Sequence, residues 1–153
     1  MTDAPHIVLI EARFYHDLSD QLAAGAIAAI EETGGTVYRI AVPGILEIPA
    51  TLQFAIEGRV DPKTGRLFDG GIVLGCAIKG ESDHYEHVCT EAMRGTQDVA
   101  LAHAFPVGNG ILTCQTRALA EERADVSRKD FGGKAAKACL RLIVIRTALG
   151  LVG

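Results

Sequence analysis

The stretch GCAIKGESDHYEHVC, residues 75–89, brings together most of the residue types that enzymes use for catalysis. It follows an apolar run and contains two histidines, three acidic residues, a lysine, a serine and two cysteines. Three kinds of site can be built from this inventory: a metal centre, a cysteine nucleophile, or a phosphate-binding turn with a general base beside it. Their spacing, and the elements that carry them, distinguish between the three.

A metal centre is the least favoured of these sites. His84 and His87 are three residues apart and Cys89 follows two residues later. Residues at i and i+3 can share one face of a helix, but this spacing matches none of the usual zinc patterns. The sequence offers no second cluster to complete a coordination shell.

A cysteine nucleophile is disfavoured as well. Each of the four cysteines falls among apolar neighbours within a segment whose pattern predicts a strand or a helix. A reactive thiol needs an electropositive, partly exposed environment, whereas a buried one behaves as a small apolar residue. These residues are Cys76, Cys89, Cys114 and Cys139.

The phosphate-binding turn is the best supported of the three. The tripeptide GES at 80–82 lies between a predicted strand and a predicted helix, so its N–H groups and the Ser82 hydroxyl could face an anion at the positive helix end. His84 follows about one turn later, and imidazole can give and take protons near neutral pH. The pattern leaves an alternative open, in which Ser82 or Asp83 caps the helix and His84 is an ordinary surface residue.

The elements that must position these groups follow from the hydrophobic pattern. Four β-rich apolar runs lie roughly 30 to 36 residues apart, with helical patterns between them, as expected of βαβ units. The architecture predicted is a three-layer α/β/α sandwich around a four-stranded parallel sheet. The runs are HIVLIEA (6–12), TVYRIAV (36–42), GIVLGCAI (71–78) and VGNGILTC (107–114). The helical patterns are DLSDQLAAGAIAAIEETGG (17–35), EIPATLQFAIEG (47–58), HYEHVCTEAMRGTQDVALAHA (84–104), RALAEERA (117–124) and GGKAAKACLRLIVIRTALG (132–150).

Length and composition limit the function classes. No linker-like stretch divides the 153 residues, so we expect a single domain spanning 1–153. A net charge of −4 without a basic cluster argues against nucleic acid as a partner. The apolar runs are too short to cross a membrane, and the amino terminus lacks the pattern of a secretory signal, so we expect a cytoplasmic protein with reduced thiols.

The carboxyl ends of the predicted strands indicate where a ligand would bind. In open α/β sheets, ligands bind beyond these ends. The motifs GxGxxG and GxxxxGK[ST] are absent, which disfavours dinucleotides and nucleoside triphosphates. An aromatic face, a carboxylate, a histidine and hydroxyl or amide groups would converge there, which suits a small, planar, polar ligand. The residues concerned lie in ARFY (12–15), VPGILEIP (42–49) and KGESDH (79–84), or on and after the fourth run at Asn109, Thr113, Gln115 and Thr116.

Several segments together resemble the 6,7-dimethyl-8-ribityllumazine synthase family of riboflavin biosynthesis. They span nearly the whole chain in the family's order: ARFY (12–15), VPGILEIP (42–49), LGCAIKGESDHYEHV (74–88), VGNGILT (107–113), and EER followed by GGKAA (121–136). The resemblance implies a flavodoxin-like fold. It also implies condensation of 5-amino-6-(D-ribitylamino)uracil with 3,4-dihydroxy-2-butanone 4-phosphate, with release of phosphate and water and without a metal or an organic cofactor.

The resemblance assigns roles to individual positions. It implies that Phe14 stacks on the pyrimidine and that His84 is the catalytic histidine. Further positions would bind parts of the substrates. The ribityl chain would be held by Ile45, Leu46 and Glu47, and the ring by Cys76, Ala77 and Ile78. The phosphate would be bound by Glu81, Ser82 and Arg123. Family members form rings of five with sites shared between subunits, so Asn109 and Arg123 would come from a neighbouring chain.

The sequence departs from the family's commonest pattern at some positions. Tyr15 stands where many members have Asn, and Asn109 stands where many have a second Phe. Phe131 occupies the place of a Lys, with Lys129 and Lys134 nearby. Either a neighbouring lysine supplies the missing charge, or phosphate binding is weaker.

Assembly and activity each leave alternatives open. The segment ADVSRKDF (124–131) lacks the glycine-containing kink typical of members that build sixty-subunit shells, which favours a pentamer or a dimer of pentamers. A lumazine- or flavin-binding protein without turnover, or an assembly of mainly structural value, are the alternatives to an enzyme.

Overall fold

The structure is a computed structural model that describes residues 4–80 and 84–151. Within these residues, four strands form one parallel sheet in the order β2-β1-β3-β4. The strands are β1 (His6–Ala12), β2 (Thr36–Val42), β3 (Gly70–Ile78) and β4 (Val107–Cys114). The helices are α1 (His16–Glu32), α2 (Ile48–Gly58), α3 (His84–Ala102), α4 (Arg117–Ala124) and α5 (Phe131–Ala148). The predicted α/β/α sandwich with a parallel, flavodoxin-like sheet is confirmed.

The predicted element bounds agree closely with the structure. The strands β1, β2 and β4 and the helix α4 begin and end where the pattern places them, while β3 begins one residue earlier. The first helical pattern stops at Gly34 and Gly35, and α1 ends two residues before them, at Glu32. Gly34 there adopts a φ of 80°, a left-handed conformation that ends helices readily. Glu47 lies in a 3₁₀ turn at Ile45–Glu47 rather than in α2.

Two apolar cores cover the two faces of the sheet. Successive side chains of a strand point to opposite faces, so Ile7 and Leu9 pack with α1, α4 and α5, whereas Val8 and Ile10 pack with α2 and α3. Both central strands are therefore apolar on both sides, which is why their sequences are nearly continuous apolar runs. Among the described residues, no helix is long and apolar enough to span a membrane.

Glycines allow α5 to approach its neighbours closely. A Cβ at Gly132 would lie 2.0 Å from the Leu22 carbonyl oxygen in α1, and one at Gly108 would lie 1.9 Å from the Ala135 carbonyl oxygen. No side chain fits at either position without moving the backbone. The GG of GGKAA therefore places the amino-terminal end of α5 directly against α1.

The strand order creates the place for a site. The chain leaves β1 through α1 on one face to reach β2, and leaves β2 through α2 on the opposite face to reach β3. The crossovers diverge between β1 and β3, and a crevice opens beyond the carboxyl ends of these strands.

Candidate active site

A depression of about 230 Å³ lies in this crevice. It is formed by the segments that follow β1 and β2, by the end of β3, and by the first turn and a half of α3. Its lining residues are Phe14, Tyr15, Gly44, Ile45, Cys76, Ala77, Ile78, Gly80, His84, Tyr85 and Val88. One depression of a single chain is thus lined both by the residues predicted to contact the ring, Phe14, Cys76, Ala77 and Ile78, and by the predicted catalytic histidine, His84.

An aromatic pair forms one wall of the depression. The Phe14 ring is 71% exposed, and its centroid lies 4.9 Å from that of Tyr15 at an interplanar angle of 76°. Tyr15 itself packs against the core, and the guanidinium of Arg117 lies 5.9 Å from its ring centroid. Phe14 therefore offers a free face to a planar ligand, and its edge-to-face partner is anchored.

The end of β3 forms an apolar floor. Cys76 is buried, whereas Ala77 and Ile78 are half-buried. Burial raises the pKa of the Cys76 thiol to about 12, with a further contribution from the nearby Cys114. The thiol therefore stays protonated at neutral pH and serves as a small apolar surface.

The 3₁₀ turn after β2 places Ile45 in the floor and Glu47 at the margin. Ile45 is 4% exposed, but Leu46 is 48% exposed and lies outside the lining. The Glu47 carboxylate is exposed and accepts a hydrogen bond of 3.0 Å from the Gly44 N–H. One oxygen is thus used to cap the turn, and this bond holds the carboxylate beside the depression.

His84 is the first residue of α3 and its side chain is exposed. Tyr85 and Val88 from the same helix also line the depression. Burial, with the neighbouring Cys89, raises the pKa of Tyr85, so its phenol remains a hydrogen-bond donor at neutral pH. Glu81 and Ser82, the predicted phosphate-binding pair, lie outside the described residues.

Asn109 and Arg123 do not line the depression of their own chain. The Asn109 amide nitrogen lies 3.7 Å from the Met93 sulfur, and its oxygen accepts a 2.9 Å bond from the Ile111 N–H. Arg123 Nη1 lies 3.4 Å from the Cys114 sulfur. Asn109 is on β4 and Arg123 is on α4, and neither is among the residues that line the depression.

Phe131 is the first residue of α5 and packs partly buried against the core shared with α1. The ammonium of Lys134 lies 5.0 Å from the Phe131 ring centroid, within range of a cation–π contact. A lysine charge is therefore held next to the position where the sequence lacks one.

Sequence reasoning missed some lining residues. Tyr85 and Val88 were interpreted only as part of a helical pattern, although they follow His84 by one and four residues. A helix that presents His84 to the depression brings the i+4 residue onto the same side, and this spacing could have identified Val88. Tyr85 carries no comparable signal.

Comparisons with known proteins find similar sequences over nearly the whole chain. A family model described as 6,7-dimethyl-8-ribityllumazine synthase matches residues 4–147. A protein of that name from Paramagnetospirillum magneticum (strain AMB-1) is 45% identical over 145 residues, which cover 95% of this chain and 97% of that protein. Another from Agrobacterium fabrum (strain C58) is 43% identical over 146 residues, covering 95% and 97%. A third from Azorhizobium caulinodans is 46% identical over 140 residues, covering 92% and 85%.

The raised pKa of Cys76 gives a chemical prediction. With a thiol pKa of about 12, only about one molecule in 10⁴ carries the thiolate at pH 8, so iodoacetamide should alkylate Cys76 at least a hundredfold more slowly in the folded than in the urea-unfolded protein. Peptide mass spectrometry after timed quenching measures both rates. Equal rates would contradict the buried, protonated state.

Proposed function

The chain belongs to the 6,7-dimethyl-8-ribityllumazine synthase family and is an enzyme of riboflavin biosynthesis, a transferase. From this premise we propose that it condenses 5-amino-6-(D-ribitylamino)uracil with 3,4-dihydroxy-2-butanone 4-phosphate to give 6,7-dimethyl-8-ribityllumazine, phosphate and water. The observation that carries the proposal is the convergence of Phe14, Cys76 and His84 on one depression.

The depression suits the pyrimidine substrate. A planar ring fits between the free face of Phe14 and the floor formed by Cys76, Ala77 and Ile78, whose backbone can bond the ring's polar edge. Glu47, fixed by its bond to Gly44 N–H, supplies an acceptor for a ribityl hydroxyl, while Ile45 and Leu46 contribute main-chain contacts.

The reaction begins when the 5-amino group attacks the butanone carbonyl, which forms an imine and releases water. His84 then removes a proton from the carbon beside the imine, and phosphate leaves from the adjacent carbon. The enol left by this elimination becomes a methyl ketone, and the ribityl-bearing nitrogen condenses with its carbonyl to close the second ring, which releases a second water. Holding the two reactants together supplies much of the acceleration, because both are already reactive.

Phosphate binding needs cations that the depression of one chain does not provide among its described residues. We assign the cationic role to Arg123, whose planar guanidinium offers paired donors. The backbone of Glu81 and Ser82 and the Ser82 hydroxyl would add uncharged donors to the phosphate. Lys134, held over Phe131, supplies the charge that other family members carry at position 131.

A ring of subunits would complete the site. Arg123 and Asn109 lie outside the depression of their own chain, so we propose that both reach the site of a neighbouring chain in a homopentamer. Large exposed apolar side chains, among them Phe54, Leu101 and Val144, are available for such contacts. The α4–α5 connection, ADVSRKDF (124–131), lacks the glycine-containing kink of the shell-forming family members, which favours a pentamer or a pair of pentamers over a shell. We place the protein in the cytoplasm, where its four free thiols would stay reduced.

Turnover tests the proposal directly. Purified protein mixed with both substrates should generate the lumazine absorbance and release phosphate. His84→Ala should lower kcat roughly 10- to 100-fold without abolishing turnover, because the histidine moves the proton whereas the other contacts orient the reactants.

His87→Ala is the matched control, since His87 is an exposed histidine of the same helix outside the depression, and it should match the wild type. Wild-type activity in His84→Ala would overturn the assigned role. Ligand binding without product or phosphate would favour a lumazine- or flavin-binding protein instead.

A charge-specific effect is expected at Lys134. Lys134→Met should raise KM for the phosphorylated butanone about fivefold and leave KM for the pyrimidine nearly unchanged, because a nearby cation stabilises mainly the anionic substrate. Steady-state kinetics with each substrate varied in turn measures both constants.

Lys137→Met, which removes an exposed lysine one turn further along α5, should change neither constant. Equal shifts in both constants at Lys134 would show that this lysine does not provide the missing charge.

The mass in solution tests the shared site. Light scattering of the purified protein should give five or ten times the mass of one chain. An active monomer would contradict both the assembly and the assignment of Arg123 to a neighbour's site. A mass near sixty chains would contradict only the choice of a pentamer.

A further inference from the structure

A buried carboxylate lies at the carboxyl end of β1. Glu11 is 2% exposed and receives two hydrogen bonds from Arg39 of β2: Nε to Oε2 at 2.6 Å and Nη2 to Oε1 at 2.8 Å. Such bidentate, charge-assisted bonds are among the stronger polar contacts in proteins. A buried carboxylate without partners would be costly, so these donors keep Glu11 in place.

Arg13 donates a third hydrogen bond to this carboxylate and connects it to α1. Its Nη1 donates to Glu11 Oε1 at 2.9 Å, and its Nη2 donates to Asp20 Oδ1 in α1. The Arg13 N–H donates to the Val42 carbonyl at 3.0 Å. Arg13 is therefore fixed by its backbone to β2 and by its guanidinium to both β1 and α1.

The residue that follows Arg13 is Phe14. Its ring is 71% exposed, and Tyr15 is the ring contact that the structure gives it. A side chain with so little packing takes its position mainly from the backbone that carries it. The direction in which the chain leaves Arg13 therefore sets where the Phe14 ring lies.

We infer that Arg13, held between Glu11 and Asp20, is a positioning residue that fixes Phe14 over the pyrimidine. The inference rests on the proposed function, because it assumes that Phe14 stacks on that substrate. Arg13 acts through Phe14 and makes no contact with substrate in this assignment.

The network divides into two halves with different roles. The pair Glu11 and Arg39 joins β1 to β2. These two strands are already held together by the parallel ladder over the whole length of β1. Arg13 and Asp20 instead span the loop that contains Phe14, from the end of β1 to the second turn of α1. A purely structural clamp between strands would not need this second half.

A double-mutant cycle tests the coupling. The dissociation constant of the pyrimidine is measured by calorimetry for the wild type, Arg13→Met, Phe14→Ala and the double variant. Arg13→Met should weaken pyrimidine binding about tenfold in the wild-type background and less than twofold when Phe14 is already Ala, because residues that act as one unit are not additive. Binding of the phosphorylated butanone should change less than twofold throughout.

Two further variants separate positioning from stability. Asp20→Asn removes only the exposed carboxylate that pairs with Arg13, and it should weaken pyrimidine binding about threefold. The Tm should not change, because exposed ion pairs contribute little to stability. This variant keeps the inference testable if Arg13→Met fails to fold. Arg66→Met is the matched control: it removes an arginine that bonds Thr36 and the Ala4 carbonyl near the amino ends of β2 and β1, and it should leave binding unchanged.

The outcomes distinguish this inference from the proposed function. Additive effects of Arg13→Met and Phe14→Ala, or equal weakening of both substrates, would overturn the positioning role even if the wild type turns over. Pyrimidine binding by the wild type without turnover would overturn the proposed reaction alone. A wild type that does not bind the pyrimidine would overturn both.

Discussion

The parallel pairing of β1 with β3 is the constraint on which the rest of the structure depends. Because β2 pairs on one side of β1 and β3 on the other, the two crossovers must lie on opposite faces of the sheet. The segments that leave β1, β2 and β3 then border one crevice. Phe14, Ile45, Cys76 and His84 meet there because the parallel ladders hold these strand ends side by side.

The central strand β1 is apolar in its middle and polar at both ends, and each polar end is fully bonded. At the amino end, His6 Nε2 lies 2.7 Å from an Asp61 oxygen and Nδ1 lies 2.6 Å from the Thr36 hydroxyl. Burial tends to raise the pKa of Asp61, but the Lys63 N–H and His6 outweigh it and the pKa is lowered. Glu11 plays the corresponding part at the carboxyl end. The strand that precedes Phe14 is thereby anchored at both ends before the loop begins.

The residues proposed to bind the ring and those proposed to bind the phosphate lie on different elements. The apolar floor belongs to β3 and His84 to α3, whereas Arg123 belongs to α4 and Lys134 to α5. A ring can be held by strand backbone and an aromatic face, but an anion needs cations close to it. A fold that separates these groups favours a site shared between chains, in agreement with the proposed assembly.

The sequence by itself determined the elements and the strand ends beyond which the depression lies. Apolar runs of strand length, separated by helical periodicity, placed β1, β2, β4 and α4 to the residue, because these signals depend on neighbours along the chain. Only the tertiary structure decided that Tyr85 lines the depression, that Glu47 caps its own turn, and that Arg123 turns to Cys114. The tertiary structure alone revealed the buried carboxylate of Glu11, which the sequence pattern had included in the apolar run HIVLIEA. The reason is physical: contacts between distant residues depend on strand order and register, and periodicity along one dimension does not encode either.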